Sequence, residues 1–113
     1  FIILATIYET MEGIMETRQS ITNTLASNVK FLRINTKVEE AITGKVRYMS
    51  QRQLAEFIGS ITQQVSKFEL AKNQMSAIQL YKVSKLFEVS VDSLFEDLTK
   101  SDYKKTIKQD IYA

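Results

Sequence analysis

The sequence predicts an all-α domain of five helices, on three observations. It holds no Pro and three Gly in 113 residues. That is too few turn formers for an all-β chain and enough for helices joined by short connections. Apolar residues recur at steps of three and four, as at Ile21, Leu25, Val29 and Leu32, the repeat of one helical face. Ser-x-x-Gln pairs at Ser50/Gln53 and Ser60/Gln63 have the form of helix-starting capping boxes.

Apolar residues make up 44% and charged residues 25% of the chain, proportions of one ordinary globular domain. There is no Cys and no His, which excludes disulfides, a cysteine nucleophile and the usual zinc sites. The same lack fits a cytoplasmic location, and no metal or cofactor is expected. No apolar run reaches the roughly 20 residues of a membrane span, so no membrane partner is expected. Net charge is only +2, but it is unevenly spread. Lys30, Arg33, Lys37, Lys45, Arg47 and Arg52 stand against Glu39 and Glu40 alone in residues 30–52. Such a basic segment is either ordinary solvated charge or a surface for phosphates.

Taken in order, Phe1–Tyr8 is apolar and rich in β-branched residues, which suits a strand or an ordered arm. Residues 1–16 are read as an N-terminal arm or an upstream extension, with pairing to a partner subunit as a further option. The domain proper is placed at 17–97. Its first helix lies within Thr17–Lys37, beginning near Asn23 or Thr24. Val38–Tyr48 is ambiguous: apolar residues near helical spacing favour a helix, and Thr43-Gly44 favours a loop. Helix or loop is favoured there over strand.

The second helix begins at the Ser50 cap, with Met49 and Leu54 forming a hydrophobic staple. Leu54, Ala55 and Ile58 form its buried face, and Gly59 ends it. The third runs from about Ile61 to Leu70, burying Val65 and Phe68. Ser76 caps a fourth helix with Leu80, Val83, Ser84 and Phe87 on one face. Ser90 caps a fifth, with Leu94 and Phe95 turned inward. The tail, 98–113, is polar; Tyr103, Ile107 and Ile111 are four apart, so it is a further amphipathic helix or a frayed end.

From Ser50 to Phe95 these residues resemble a known family. Ser50-Gln51, Leu54-Ala55, Gly59, Val65-Ser66-Lys67-Phe68-Glu69, Leu80, Val83, Phe87, Val89-Ser90-Val91-Asp92 and Leu94-Phe95 stand at the spacing of the phage-repressor-like helix-turn-helix domain, the Cro/cI or XRE family. The resemblance implies the five-helix, lambda-repressor-like fold. Asn28–Arg33 is similar to the family's first helix if about eleven residues, near 38–48, are an insertion before the helix-turn-helix. Ala71 and Glu88 stand where the family commonly has Gly, Met75 where it has Pro, and Ile61 where it has a Ser or Thr cap.

The resemblance also implies function: sequence-specific binding of double-stranded DNA by a transcriptional regulator, a repressor acting as a homodimer on a two-fold site. The third helix would lie in the major groove. Thr62, Gln63, Gln64, Ser66 and Lys67 would then be the base-contacting residues, since Gln can pair with adenine and Lys with guanine. Gln51, Arg52, Lys72 and Asn73 would contact phosphates, Gln51 at a helix N-terminus. Arg33 and Glu69 would form a structural ion pair, because an enclosed carboxylate needs a partner. An enzyme is not expected: there is no glycine-rich phosphate loop and no carboxylate pair on a cleft. The alternative reading is an antitoxin-like or bridging protein-interaction module, with a toxin or another regulator as partner.

Overall fold

The computed structural model describes the backbone of residues 2–109 and the side chains of residues 18–109. In chain order the elements are α1 (Ile2–Ile34), β1 (Thr36–Glu40), β2 (Val46–Tyr48), α2 (Gln51–Ile58), α3 (Thr62–Glu69), α4 (Ala77–Phe87), a 3-10 turn (Asp92–Phe95) and β3 (Lys105–Gln109). The all-α, five-helix expectation is therefore corrected. Four α-helices pack with a three-stranded mixed sheet of order β2-β1-β3, and the expected fifth helix is a single 3-10 turn.

The sheet arises from the two segments that periodicity placed least well. Residues 38–48, favoured as helix or loop, form a hairpin with Thr36 and Lys37: β1 and β2 run antiparallel, Lys37 opposite Tyr48 and Glu39 opposite Val46. Glu40 N–H donates to Lys45 O at 2.9 Å, and Gly44 closes the loop at φ 66°, a left-handed conformation glycine adopts without steric cost. The tail, expected as helix or frayed end, supplies β3, parallel to β1 with Val38 beside Ile107. This pairing buries Val38 to 1% exposure. Ile111 lies outside the described residues.

Residues 2–8, read as strand or ordered arm, are helical, and α1 runs without a break to Ile34. Pairing of that arm with a partner subunit depends on side chains outside the described ones. Among the described residues no helix is long and apolar enough to cross a membrane.

The core is built from one face of each element: Val29 and Leu32 of α1, Val38 of β1, Leu54, Ala55 and Ile58 of α2, Val65 and Phe68 of α3, Val83 and Phe87 of α4, and Leu94. Met49 is 2% and Leu54 0% exposed, so the staple residues both enter it. Ser50 and Gln53 make the reciprocal capping box, as do Ser76 and Gln79. The box expected at Ser60/Gln63 does not form; Ile61 is the N-cap of α3 and offers no side-chain bond. Phe95, expected inward, is 38% exposed.

Three helices end on a left-handed residue, and only one of those residues is glycine. Gly59 stops α2 at φ 68°, with Ser60 N–H donating to Ala55 O at 2.8 Å, a Schellman ending. α3 and α4 end the same way, yet the left-handed residues are Ala71 at φ 59° and Glu88 at φ 55°. A Cβ in that conformation costs about 1–2 kcal/mol. Ala71→Gly is expected to raise stability by about 0.5–1 kcal/mol, the relief exceeding the added unfolded-state entropy. A urea titration reads this as a higher midpoint at unchanged slope. Glu88→Gly gains less, because Glu88 accepts from Lys105 Nζ at 2.9 Å.

Candidate nucleic-acid interface

α2 and α3 are joined by the Gly59–Ile61 turn and share the core through Leu54, Ile58 and Val65. Val65 and Phe68 fix which side of α3 faces inward, so the opposite side is free. Thr62, Gln63 and Lys67 are exposed there, and Gln64 and Ser66 half-buried. Steps of four place Thr62 with Ser66 and Gln63 with Lys67 along one stripe. Ile61, 57% exposed, and Leu70, 62% exposed, flank the stripe at its two ends. Sequence reasoning did not select them.

The acid of α3 is withdrawn from that surface. Glu69 is 3% exposed and Arg33 13% exposed at their side chains, with Arg33 Nε 2.7 Å from Glu69 Oε2. Arg33 Nη2 donates to Glu69 Oε1 at 2.9 Å, a two-pronged pair. Gln51 Nε2 donates to the same carboxylate at 3.1 Å, and Arg33 Nη1 donates to Met49 O at 3.0 Å. One carboxylate thus ties together α1, the start of α2 and the end of α3, and the same guanidinium holds the exit of the hairpin. The outward stripe is left neutral to positive.

Four of the selected side chains are engaged locally. The Gln51 amide is held by Glu69, which leaves Gln51 its backbone N–H at the α2 N-terminus. Arg52, 81% exposed, stands 3.5 Å from Glu56, a surface pair of small energy that can be exchanged for another anion. Gln64 Oε1 accepts from Asn73 Nδ2 at 3.1 Å, which links the stripe to the loop after α3 and leaves the Gln64 amide N–H groups unbonded within the pair.

That loop brings Lys72 and Asn73 to α1. Arg18, Gln19 and Thr22 line a recess of about 320 Å³ with Lys72 and Asn73, and Gln74 Nε2 donates to Thr22 Oγ1 at 3.4 Å. Arg18 therefore joins Lys72 as a second cation at the same edge. No spacing in the sequence signals this, because the two lie on elements that meet only in the fold. Of the residues selected from sequence, the structure gathers Thr62, Gln63, Gln64, Ser66 and Lys67 on one helix, with Lys72 and Asn73 at its far end. Gln51 and Arg52 stand at the start of α2.

No family model matches the chain, and no solved structure matches it. The chain is 39% identical over 54 residues to an uncharacterized transcriptional regulator in the ATPase CF(0) region of Rhodospirillum rubrum. The matched stretch covers 48% of this chain and 50% of that protein, so the chain spans about half the length of the curated relative it matches.

Proposed function

We propose that the protein is a sequence-specific binder of double-stranded DNA and a transcriptional regulator, with α3 as the helix that enters the major groove. The observation that carries this reading is the polar stripe of α3, from which the acidic Glu69 has been removed into a buried pair. The similarity to a protein described as a transcriptional regulator supports the same class of function. Thr62, Gln63, Gln64, Ser66 and Lys67 are the base-reading residues in this proposal. The backbone N–H of Gln51, with Arg52, Lys72 and Asn73, takes phosphates.

The proposal is of a non-catalytic protein that acts as a homodimer in the cytoplasm, in which repression follows from occupancy of a two-fold site. A companion reading as a protein-interaction module, toward a toxin or another regulator, draws on the hairpin. Ile42, Val46 and Tyr48 are 80%, 49% and 62% exposed there, three large apolar side chains on one short hairpin.

Gln63→Ala is expected to cut discrimination between the preferred site and its single-base variants by about 10- to 100-fold, the worth of one bidentate base contact. Lys72→Gln should weaken binding to every duplex alike and reduce the slope of log K against log salt by about 0.9. Both are read by titration with labelled duplex at two salt concentrations. Wild-type protein with no preference over random duplex would sink the reading.

A further inference from the structure

We propose that the recess where β1, β2 and the chain leading into β3 meet is a second phosphate site, which holds the DNA backbone beside α2. The inference rests on the DNA-binding reading above and extends its contacts to a surface that reading leaves unused. The recess, about 330 Å³, is lined by Asn35, Lys37, Tyr48, Lys104, Lys105 and Thr106. Each of these side chains carries a hydrogen-bond donor, and no carboxylate lines the recess.

The charges divide by their partners. Lys105 Nζ is held by Glu88 at 2.9 Å, with the Lys105 side chain 18% exposed. Lys37 and Lys104 are exposed, and the ion pairs among the described residues do not include them. Lys37 Nζ lies 5.3 Å from the centre of the Tyr48 ring, a cation–π contact that orients the stem and leaves the ammonium donors unbonded. Glu39, the acid on the same face of β1, stands in register with Lys108. Two ammonium groups, a phenol and a hydroxyl thus face one recess, the donor set that suits a phosphoryl oxygen cluster.

The place of the recess in the chain points to the DNA backbone as the source of that phosphate. Tyr48 lies two residues before Ser50, the N-cap of α2. The step from Tyr48 to Gln51 spans at most about 11 Å of extended chain. Successive phosphates on one strand advance about 3.4 Å along the duplex axis. A phosphate at the N-terminus of α2 and one in the recess therefore fall within a few nucleotides of each other. The hairpin and β3 would lengthen the footprint beyond the base pairs read by α3. A free phosphate or phosphorylated small molecule shares the chemistry, and the experiment separates the two sources.

The test uses the full chain and the Lys37→Gln/Lys104→Gln variant, whose thermal midpoint checks that the fold is intact. The variant should show a salt slope shallower by about 1.8, two lost contacts at about 0.9 each, with its site preference unchanged. The difference should vanish on a duplex cut back to the base pairs that α3 reads. An equal slope overturns the backbone assignment. If inorganic phosphate then still shifts the Tyr48 ring resonances saturably in wild type and not in the variant, the site belongs to a free phosphate. If phosphate shifts neither, the site itself is refuted. Should wild-type protein show no DNA preference at all, the DNA-binding reading fails, and the phosphate titration alone decides the recess.

Discussion

Glu69→Ala is expected to destabilise the protein by about 3–5 kcal/mol, the usual cost of breaking a buried pair from one side. The carboxylate is 3% exposed, and its removal leaves the Arg33 guanidinium, 13% exposed, without its counter-charge. It also frees the Gln51 amide, which loses its 3.1 Å acceptor. The double variant Arg33→Leu/Glu69→Leu should be less destabilised than Glu69→Ala, because no unpaired charge remains. Equilibrium urea unfolding of the three proteins checks this order. A cost below about 1 kcal/mol for Glu69→Ala, the range of exposed pairs, would show that the cluster is not the tie described here. The functional consequence is positional. The pair sets the end of α3 against the start of α2 and the exit of the hairpin, so its loss should weaken DNA binding even under conditions where the variant stays folded.

Asn28→Ala should cost about 3 kcal/mol, through a different mechanism. Asn28 is 1% exposed and works as a bolt between α1 and the chain after the 3-10 turn. Its Nδ2 donates to Leu94 O at 2.8 Å and to Glu96 O, and its Oδ1 accepts from Leu98 N–H at 3.1 Å. Truncation leaves these backbone groups partnerless in a largely closed space, where each unsatisfied group costs about 1–3 kcal/mol. Asn28→Asp keeps the acceptor and loses both donors while turning a carboxylate toward two carbonyl oxygens, so it should not rescue stability. Denaturant unfolding gives the magnitude. Amide hydrogen exchange gives the location, with Leu98 losing protection in Asn28→Ala. An Asn28→Asp protein as stable as wild type would contradict the bonding described.

The parts of the fold legible in the sequence are those held by local interactions. Ser50 and Gln53 are three residues apart and cap one helix; Leu54, Ile58, Val65 and Phe68 repeat at helical steps and bury one face each. Arg33 and Glu69 are distant in sequence, and naming them together required the spacing of a family with a segment near 38–48 set aside. That segment was illegible for a physical reason. Val38, Ile42 and Val46, four residues apart, satisfy helical spacing as well as strand alternation, and what selects the strand is a partner far along the chain. Thr36 and Val38 pair with Lys105 and Ile107, a contact no window of 10 to 20 residues contains, and strand preference depends on such neighbours. Asn28 and Arg18 were missed for the same reason, since their partners lie on elements remote in sequence. Ser60/Gln63 shows the converse failure. The residues of a capping box were present, and the Gly59 turn shifted the start of α3 by one residue, which made Ile61 the cap.

Selection of bound sequences from a pool of random duplexes tests the central claim most directly. The account predicts enrichment of a two-fold symmetric motif, with half-sites about 10 base pairs apart centre to centre. It also predicts that Gln63→Ala relaxes one position in each half-site while leaving the symmetry in place. A pool that emerges unenriched, from protein shown to be folded, would contradict the assignment of α3 as a reading helix.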